Sequence, residues 1–319
     1  MRAAMENQSV YRTDERPEEL LRTLEQLERD YKAEQLERLG ADAANQARYL
    51  ERYARCPVYT NTWTRYFPLG DDAFPVMLEE LKKAEKYIFL EYFIIAPGVF
   101  WDSIVEILRE KHAAGVDVRV IYDDVGSLNT LPMNYAHKFE AETGIPCCFF
   151  NRFKPIISIR MNNRDHRKIV VIDGRIGYTG GMNIADYYIN GLPKIGTWRD
   201  MHIRIEGPAV DILQEIFLTI WNKTTKQNIT GEVYFPERPA PADSTDGITV
   251  AIVDRTPKKD PRMLSHTYAM SIYAAKENVR IVNPYFVPTS SIRKALNHAL
   301  KKGTKVEIMI SSKSDIPFT

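Results

Sequence analysis

One stretch limits what this chain can fold into more than any other: Asp165-His166-Arg167-Lys168-Ile169-Val170-Val171-Ile172-Asp173-Gly174-Arg175-Ile176-Gly177-Tyr178-Thr179-Gly180-Gly181-Met182-Asn183. Its spacing is H-x-K-x(4)-D-x(6)-G-G-x-N. The β-branched run Ile169 to Ile172 predicts a buried strand. Alternation along it places His166 and Lys168 on one face, within reach of a single bound group. Gly180-Gly181 and Asn183 predict a small-residue turn where backbone and an amide approach an anion closely. Imidazole, ammonium and amide aimed at one spot suit phosphoryl chemistry, as nucleophile or acid, charge clamp and neutral donor.

A lone histidine beside a strand is ordinarily structural, but the full pattern is far more demanding than one residue. It resembles the signature of the phospholipase D superfamily. The words Arg164 to Gly174, Gly180 to Asp186, Trp198-Arg199-Asp200, Leu90-Glu91-Tyr92-Phe93-Ile94 and Asn283 to Pro288 resemble bacterial cardiolipin synthases in particular. The resemblance covers residues 56 to 319. It implies an α/β chain of phospholipase D-like fold, a mixed β-sheet flanked by helices.

It implies further that His166 attacks phosphorus to give a phosphohistidine, while Lys168 and Asn183 hold the phosphate beside Gly180, Gly181 and Arg164. Asp200 stands where the family places the carboxylate that fixes the imidazole tautomer. Asp173 completes the catalytic signature, although its place at the strand end also suits a turn cap or a partner for a base. Glu91, an acid in an apolar strand, is either a site residue or a buried paired carboxylate. No metal or cofactor is implied. The activity expected is transfer of a phosphatidyl group between two phosphatidylglycerol molecules, giving cardiolipin and glycerol. The competing readings are a phospholipase D, a nuclease, or a catalytically incomplete half that binds anionic lipid.

Composition narrows the setting. The chain has 319 residues, 44% hydrophobic and 27% charged, as a folded globular protein has. A net charge of +1 gives no global pull toward nucleic acid, so no nucleic-acid partner is expected and any anion preference is local. Such a local excess exists: Arg152, Lys154, Arg160, Arg164, Arg167 and Lys168 face only Asp165. Ile156, Ile157, Ile159 and Met161 interleave with them, a composition suited to anionic headgroups at a membrane surface. Cys56, Cys147 and Cys148 show no metal spacing and suit a reducing, cytoplasm-facing environment. Tyr87 to Trp101, the longest apolar candidate, is too short to span a membrane and is broken by Glu91 and Pro97. Met1-Arg2 leads into polar sequence, which gives no signal peptide. The expected location is therefore the cytoplasmic side of the cell membrane.

In chain order, residues 1 to 55 form an amphipathic helical segment, with Leu20, Leu21, Leu24, Leu27 and Tyr31 at helical spacing. Residues 56 to 232 form the domain that carries the signature. Strands are expected at Tyr87–Ile94, Val116–Tyr122, Pro146–Phe150 and Met201–Glu206, and helices at Phe100–Ala114, Tyr135–Thr143 and Ala209–Thr225. Pro236, Pro239 and Pro241 mark a linker over 233 to 248. From 249 to 319 the pattern starts again. Tyr92-Phe93 aligns with Tyr285-Phe286 at an offset of 193, and Gly115-Val116-Asp117-Val118 with Gly303-Thr304-Lys305-Val306 at 188. The chain thus reads as one complete repeat and the start of a second. At that offset a second signature histidine would fall at about position 354, past Thr319. An unfinished second sheet would expose a strand edge and favour self-association.

Overall fold

The structure is a computed structural model. It describes residues 39–54, 56–153, 163–192, 196–235, 248–254 and 262–312. The predicted helix around Leu20 to Tyr31, the basic and apolar loop at 154–162 and the three linker prolines lie outside the described residues.

The elements run α1 Ala41–Tyr49, β1 Val58–Phe67, α2 Gly70–Lys82, β2 Tyr87–Tyr92, α3 Val99–Ala113, β3 Asp117–Asp123, α4 Tyr135–Thr143 and β4 Cys147–Phe150. They continue with β5 Lys168–Ile172, β6 Ile176–Gly180, β7 His202–Glu206, α5 Val210–Thr225, β8 Ile248–Ala251, α6 Met263–Ala274, β9 Asn278–Val282, α7 Ser290–Lys301 and β10 Lys305–Met309. They form two compact units divided between Ile252 and Val253, the described residues before Tyr59 grouping with the second.

The first unit is built on an eight-stranded mixed sheet in the order β4-β3-β2-β5-β6-β7-β1-β8. β2, β3 and β4 are parallel neighbours. β5 enters antiparallel to β2, and β6, β7 and β1 follow antiparallel in turn. Every residue of β2 and β5 is buried, because helices cover both faces of this part of the sheet. Ile88, Leu90, Tyr92, Val170 and Ile172 pack with Met77 and Leu81 of α2, Phe100 and Ile104 of α3 and Phe139 of α4. On the opposite face Phe89 stacks on Phe217 of α5, ring centroids 4.5 Å apart. Asp186, beyond β6, accepts from Val99 and Phe100 N–H and so caps α3 from a distant loop.

The boundary expected at 249 shifts, because β8 is the last strand of the first sheet and not the opening of a second domain. Residues 39–54 do not stand apart from the rest. Gln46 Nε2 of α1 donates to Thr267 O at 3.1 Å and to Ser271 Oγ at 2.8 Å, both on α6. In this second unit β9 and β10 form a parallel pair joined by α7. Ala269, Ile272, Ala295, Leu296 and Ala299 make its core.

Candidate active site

The site forms where β2, β3 and β5 end or begin together. Lys168 opens β5, opposite Tyr92 at the end of β2. Its side chain is 2% exposed. Its Nζ donates to the His166 carbonyl at 2.7 Å and stands 3.3 Å from His166 Nδ1. His166 and Lys168 therefore lie side by side. His166 itself is exposed, with its ring 4.6 Å from that of Phe93 at an angle of 52°. Phe93 also lies under the ammonium, Lys168 Nζ being 5.3 Å from the ring centroid.

Burial lowers the Lys168 pKa to about 8, against the opposing pull of Asp200, Asp165 and Asp123. Partial burial also lowers His166 to about 4; the Lys168 ammonium adds to this and Asp165 opposes it. At neutral pH the pair is thus an uncharged imidazole beside a charged ammonium.

The remaining expected site residues fare differently. Asp200 accepts from Met201 N at 2.8 Å, and its charge falls on Lys168. Burial raises its carboxyl above the ordinary value, opposed by the Met201 amide and Lys168. The carboxylate whose charge reaches His166 is Asp165, the residue before it in the chain.

Asp173 lies at the far end of β5, about 17 Å along the strand from Lys168 at roughly 3.3 Å per residue. Its two oxygens accept from Glu85, Lys86 and Tyr87 N–H at 2.7–2.9 Å. It clamps the entry to β2, which corrects its place among the catalytic residues.

Glu91 is fully buried, opposite Ile169 and next to Arg167, with Nη1 at 3.7 Å. Of its two expected roles the structure shows the paired carboxylate, because alternation turns it away from the face that carries Lys168.

Arg164, expected to meet substrate, instead donates to Asn151 O at 2.9 Å and Asp123 Oδ1 at 3.4 Å.

Asn183, expected to hold phosphate, is 3% exposed. Its Oδ1 accepts from Ile94 N at 3.0 Å and its Nδ2 donates to the Tyr188 hydroxyl at 2.8 Å. It ties the loop after β6 to the end of β2, alongside the Ile184 N–H bond to Ile94 O.

Gly180 and Gly181 are required by close packing. A Cβ at Gly180 would strike Met201 O and lie 2.6 Å from His202 Nδ1; one at Gly181 would strike Asp200 Oδ1. The Gly181 N–H is bonded to Met201 O at 3.1 Å instead of facing an anion. These placements share one cause: each residue was read by its type, while its partner comes from another part of the chain.

Sequence reasoning gave no role to the turn after β3, Asp123-Asp124-Val125-Gly126-Ser127. Asp123 is fully buried and accepts from Val125, Gly126 and Asp165 N–H at 2.8–2.9 Å. Burial raises its carboxyl, opposed by the Gly126 and Asp165 amides and by Arg164. A usable signal was present: paired acids, glycine and serine directly follow a parallel strand, at the end where such sheets place their sites.

The model of the family described as cardiolipin synthase, phospholipase D-like domain, matches residues 77–221, which contain β2 to β7, most of α5 and the whole site. Cardiolipin synthase 1 of Staphylococcus aureus is 39% identical over 259 residues, 81% of this chain and 52% of that protein. The chain belongs to the cardiolipin synthase family of the phospholipase D superfamily. Cardiolipin synthase 2 of Staphylococcus epidermidis is 38% identical over 251 residues, 78% of this chain and 50% of that protein. The chain thus spans about half the length of these curated relatives. Among solved structures, phosphatidylserine synthase of Haemophilus influenzae superposes with a TM-score of 0.56 at 13% identity, over 86% of this chain and 69% of that one. That likeness concerns the fold. No helix among the described residues is long and apolar enough to cross a membrane.

Proposed function

We propose that this chain carries the nucleophile of a phosphatidyltransferase that makes cardiolipin from two phosphatidylglycerol molecules. The observation that carries this reading is the buried Lys168 ammonium held at the base of an exposed, neutral imidazole. Nδ1 faces Lys168 at 3.3 Å, so the attacking nitrogen is Nε2. Attack needs the lone pair on Nε2 and so the ring proton on Nδ1, which the ammonium, a donor only, does not hold there. Nε2 forms a bond to phosphorus as the bond to the headgroup glycerol breaks, and a general acid protonates the departing alkoxide. The hydroxyl of a second phosphatidylglycerol then displaces His166, gives its proton to the conjugate base of that acid, and yields cardiolipin. Lys168 stabilises the charge that grows on the phosphoryl oxygens in both steps. The substrate is an anionic phospholipid, and the reaction takes place at the cytoplasmic membrane surface.

The family resemblance assigns the general acid to a second signature, and these 319 residues hold one. Lack of a general acid typically removes about 10² to 10⁴ of rate. The chain taken alone is therefore expected to form the adduct slowly and to make little cardiolipin. The test is a single-turnover reaction with phosphate-labelled phosphatidylglycerol. Label is expected on His166 as an acid-labile, base-stable adduct, and label on another residue would overturn the assignment. Thin-layer chromatography of the products then separates cardiolipin from the phosphatidic acid that a phospholipase D would give. Excess EDTA is expected to leave adduct formation unchanged; a loss restored by Zn²⁺ or Mg²⁺ counts against this mechanism.

A further inference from the structure

We propose that the Asp123–Ser127 turn is a positioning device for His166 and Lys168, acting through the Asp165 amide on one side and the Phe93 ring on the other. The proposal rests on the reading of His166 and Lys168 as the reacting pair. Neither the turn nor Phe93 supplies an atom to a bond that the reaction makes or breaks, so they act on the chemistry only through these two side chains.

The first arm is the Asp123 carboxylate. Its Oδ1 closes the turn on itself, accepting from Val125 and Gly126 N–H at 2.9 Å each. Its Oδ2 accepts from Asp165 N at 2.8 Å, and Arg164 Nη1 lies 3.4 Å from Oδ1. One fully buried carboxylate thus fixes the backbone immediately before His166. The second arm is the packing of the turn on Phe93. Ser127 Oγ donates to Phe93 O at 3.3 Å and accepts from Ile95 N at 3.1 Å. A Cβ at Gly126 would strike the Phe93 carbonyl oxygen and lie 2.7 Å from ring atoms Cδ2 and Cε2. Position 126 is therefore glycine because the turn backbone lies directly against Phe93. The ring held in this way meets the imidazole at 4.6 Å and sits under the ammonium at 5.3 Å. A tilted aromatic contact restricts the orientation of the imidazole, and the ring face attracts the cation. An aliphatic side chain of similar volume supplies neither.

The experiment uses the 319-residue chain with isotope-labelled histidine, and His166 is assigned by its loss in His166→Gln. The imidazole resonances are followed from about pH 3 to about pH 9, a range that spans histidine titration. Phe93→Leu is expected to move the His166 Cε1–H resonance and to raise its titration midpoint from its depressed value. Phe93→Tyr is expected to keep both. The charged groups that act on this ring, Lys168 and Asp165, are untouched in either variant. Gly126→Ala adds bulk against Phe93 and is expected to reproduce the Phe93→Leu change from a distance. If Gly126→Ala does not fold, Ser127→Ala serves, with a smaller shift in the same direction. Adduct formation is expected to fall about 10 to 100-fold in Phe93→Leu, the scale of a misplaced reacting group, and to survive in Phe93→Tyr. An unchanged resonance and midpoint in Phe93→Leu would overturn the proposal. Persistent adduct formation in His166→Gln would instead sink the reading of the reacting pair, and it would leave the resonance comparison intact.

Discussion

A helix, a strand, a crossover helix and a parallel strand occur twice in this chain, as α2-β2-α3-β3 and as α6-β9-α7-β10. The two copies agree in small details. Each crossover helix ends at a left-handed glycine, Gly115 at φ +93° and Gly303 at φ +92°. The next amide returns to the helix in both, Val116 N to Lys111 O at 3.0 Å and Thr304 N to Ala299 O at 2.9 Å. The second strand starts with the same bond to the turn before the first, Asp117 N to Lys86 O and Lys305 N to Glu277 O. The copies diverge in what lies beside the first strand. β2 has β5 on its free side, antiparallel, and Tyr92 is 1% exposed. Among the described residues β9 pairs with β10 alone, and Tyr285 is 37% exposed and Val282 76%. The repeat therefore supplies a frame, and the chemistry arrives with the strand added to it.

The largest effect expected from this difference is at the two histidines near the copies' strands. His166→Ala should abolish the labelled adduct, whereas His298→Ala on α7, outside any H-x-K-x(4)-D context, should leave it intact. Loss of the adduct in His298→Ala would mean that the second unit takes part in the first step.

Stability should divide along the same line. Phe89→Ala removes a fully buried ring stacked on Phe217 and should cost about 3–5 kcal/mol. Val282→Ala, at the matching level of the second copy, should stay within about 0.5 kcal/mol. Urea unfolding measures both, the first unit by the fluorescence of its tryptophans and the second by backbone circular dichroism. A cost for Val282→Ala comparable to that of Phe89→Ala would show that its apolar face is covered in solution.

The pH dependence of adduct formation sharpens the role of β5 in turn. Attack needs neutral His166, whose pKa is lowered to about 4, so the rate should rise with pH through that value. Charge stabilisation needs protonated Lys168, lowered to about 8, so the rate should fall as pH passes that value. Each limb should approach a tenfold change per pH unit. Lys168→Arg, which stays charged, should lower the rate and remove the alkaline limb. An alkaline limb that survives in Lys168→Arg would assign it to another group.

Much of the frame was legible because its signals are local. The β-branched run 169–172, the helix Tyr135–Thr143 closed by Gly144 at φ +75°, and the glycines after the crossover helices each depend on neighbouring residues alone. His166 and Lys168 were legible for the same reason, being two residues apart. The corrected residues depend on contacts that a sequence does not display. Asn183 is engaged by an amide 89 residues earlier, and Arg164 by a carboxylate 41 residues earlier. Phe93 went without a role because an aromatic ring carries no chemistry of its own until a cation and an imidazole are placed against it. β8 was assigned to the wrong domain, since a short strand does not announce which sheet it joins.

The smallest expected effect separates Asp173 from the residues whose signature it shares. Three amides at the entry to β2 converge on its carboxylate, a clamp that reaches across from the end of β5. Both copies share the bond from the second strand to that entry turn, Asp117–Lys86 and Lys305–Glu277, and in the first the Asp173 carboxylate adds to it. Asp173→Asn keeps one oxygen acceptor and puts an N–H₂ donor where the other stood, facing an amide that also donates. A hydrogen bond to a charged group contributes about 1.5–3 kcal/mol, and part of that survives here, so a loss of about 1–2 kcal/mol is expected. Asp173 φ is +52°, a conformation that asparagine tolerates as well as aspartate, so no backbone strain is added. The substitution lies about 17 Å from Lys168 along β5. The pH limbs near 4 and 8 should therefore stay where they are, and the adduct yield should follow the folded fraction. A shift of either limb in Asp173→Asn would return this residue to the catalytic group. A stability loss without such a shift would leave the spacing from His166 to Asp173 as the length of one strand, with chemistry at its start and a clamp at its end.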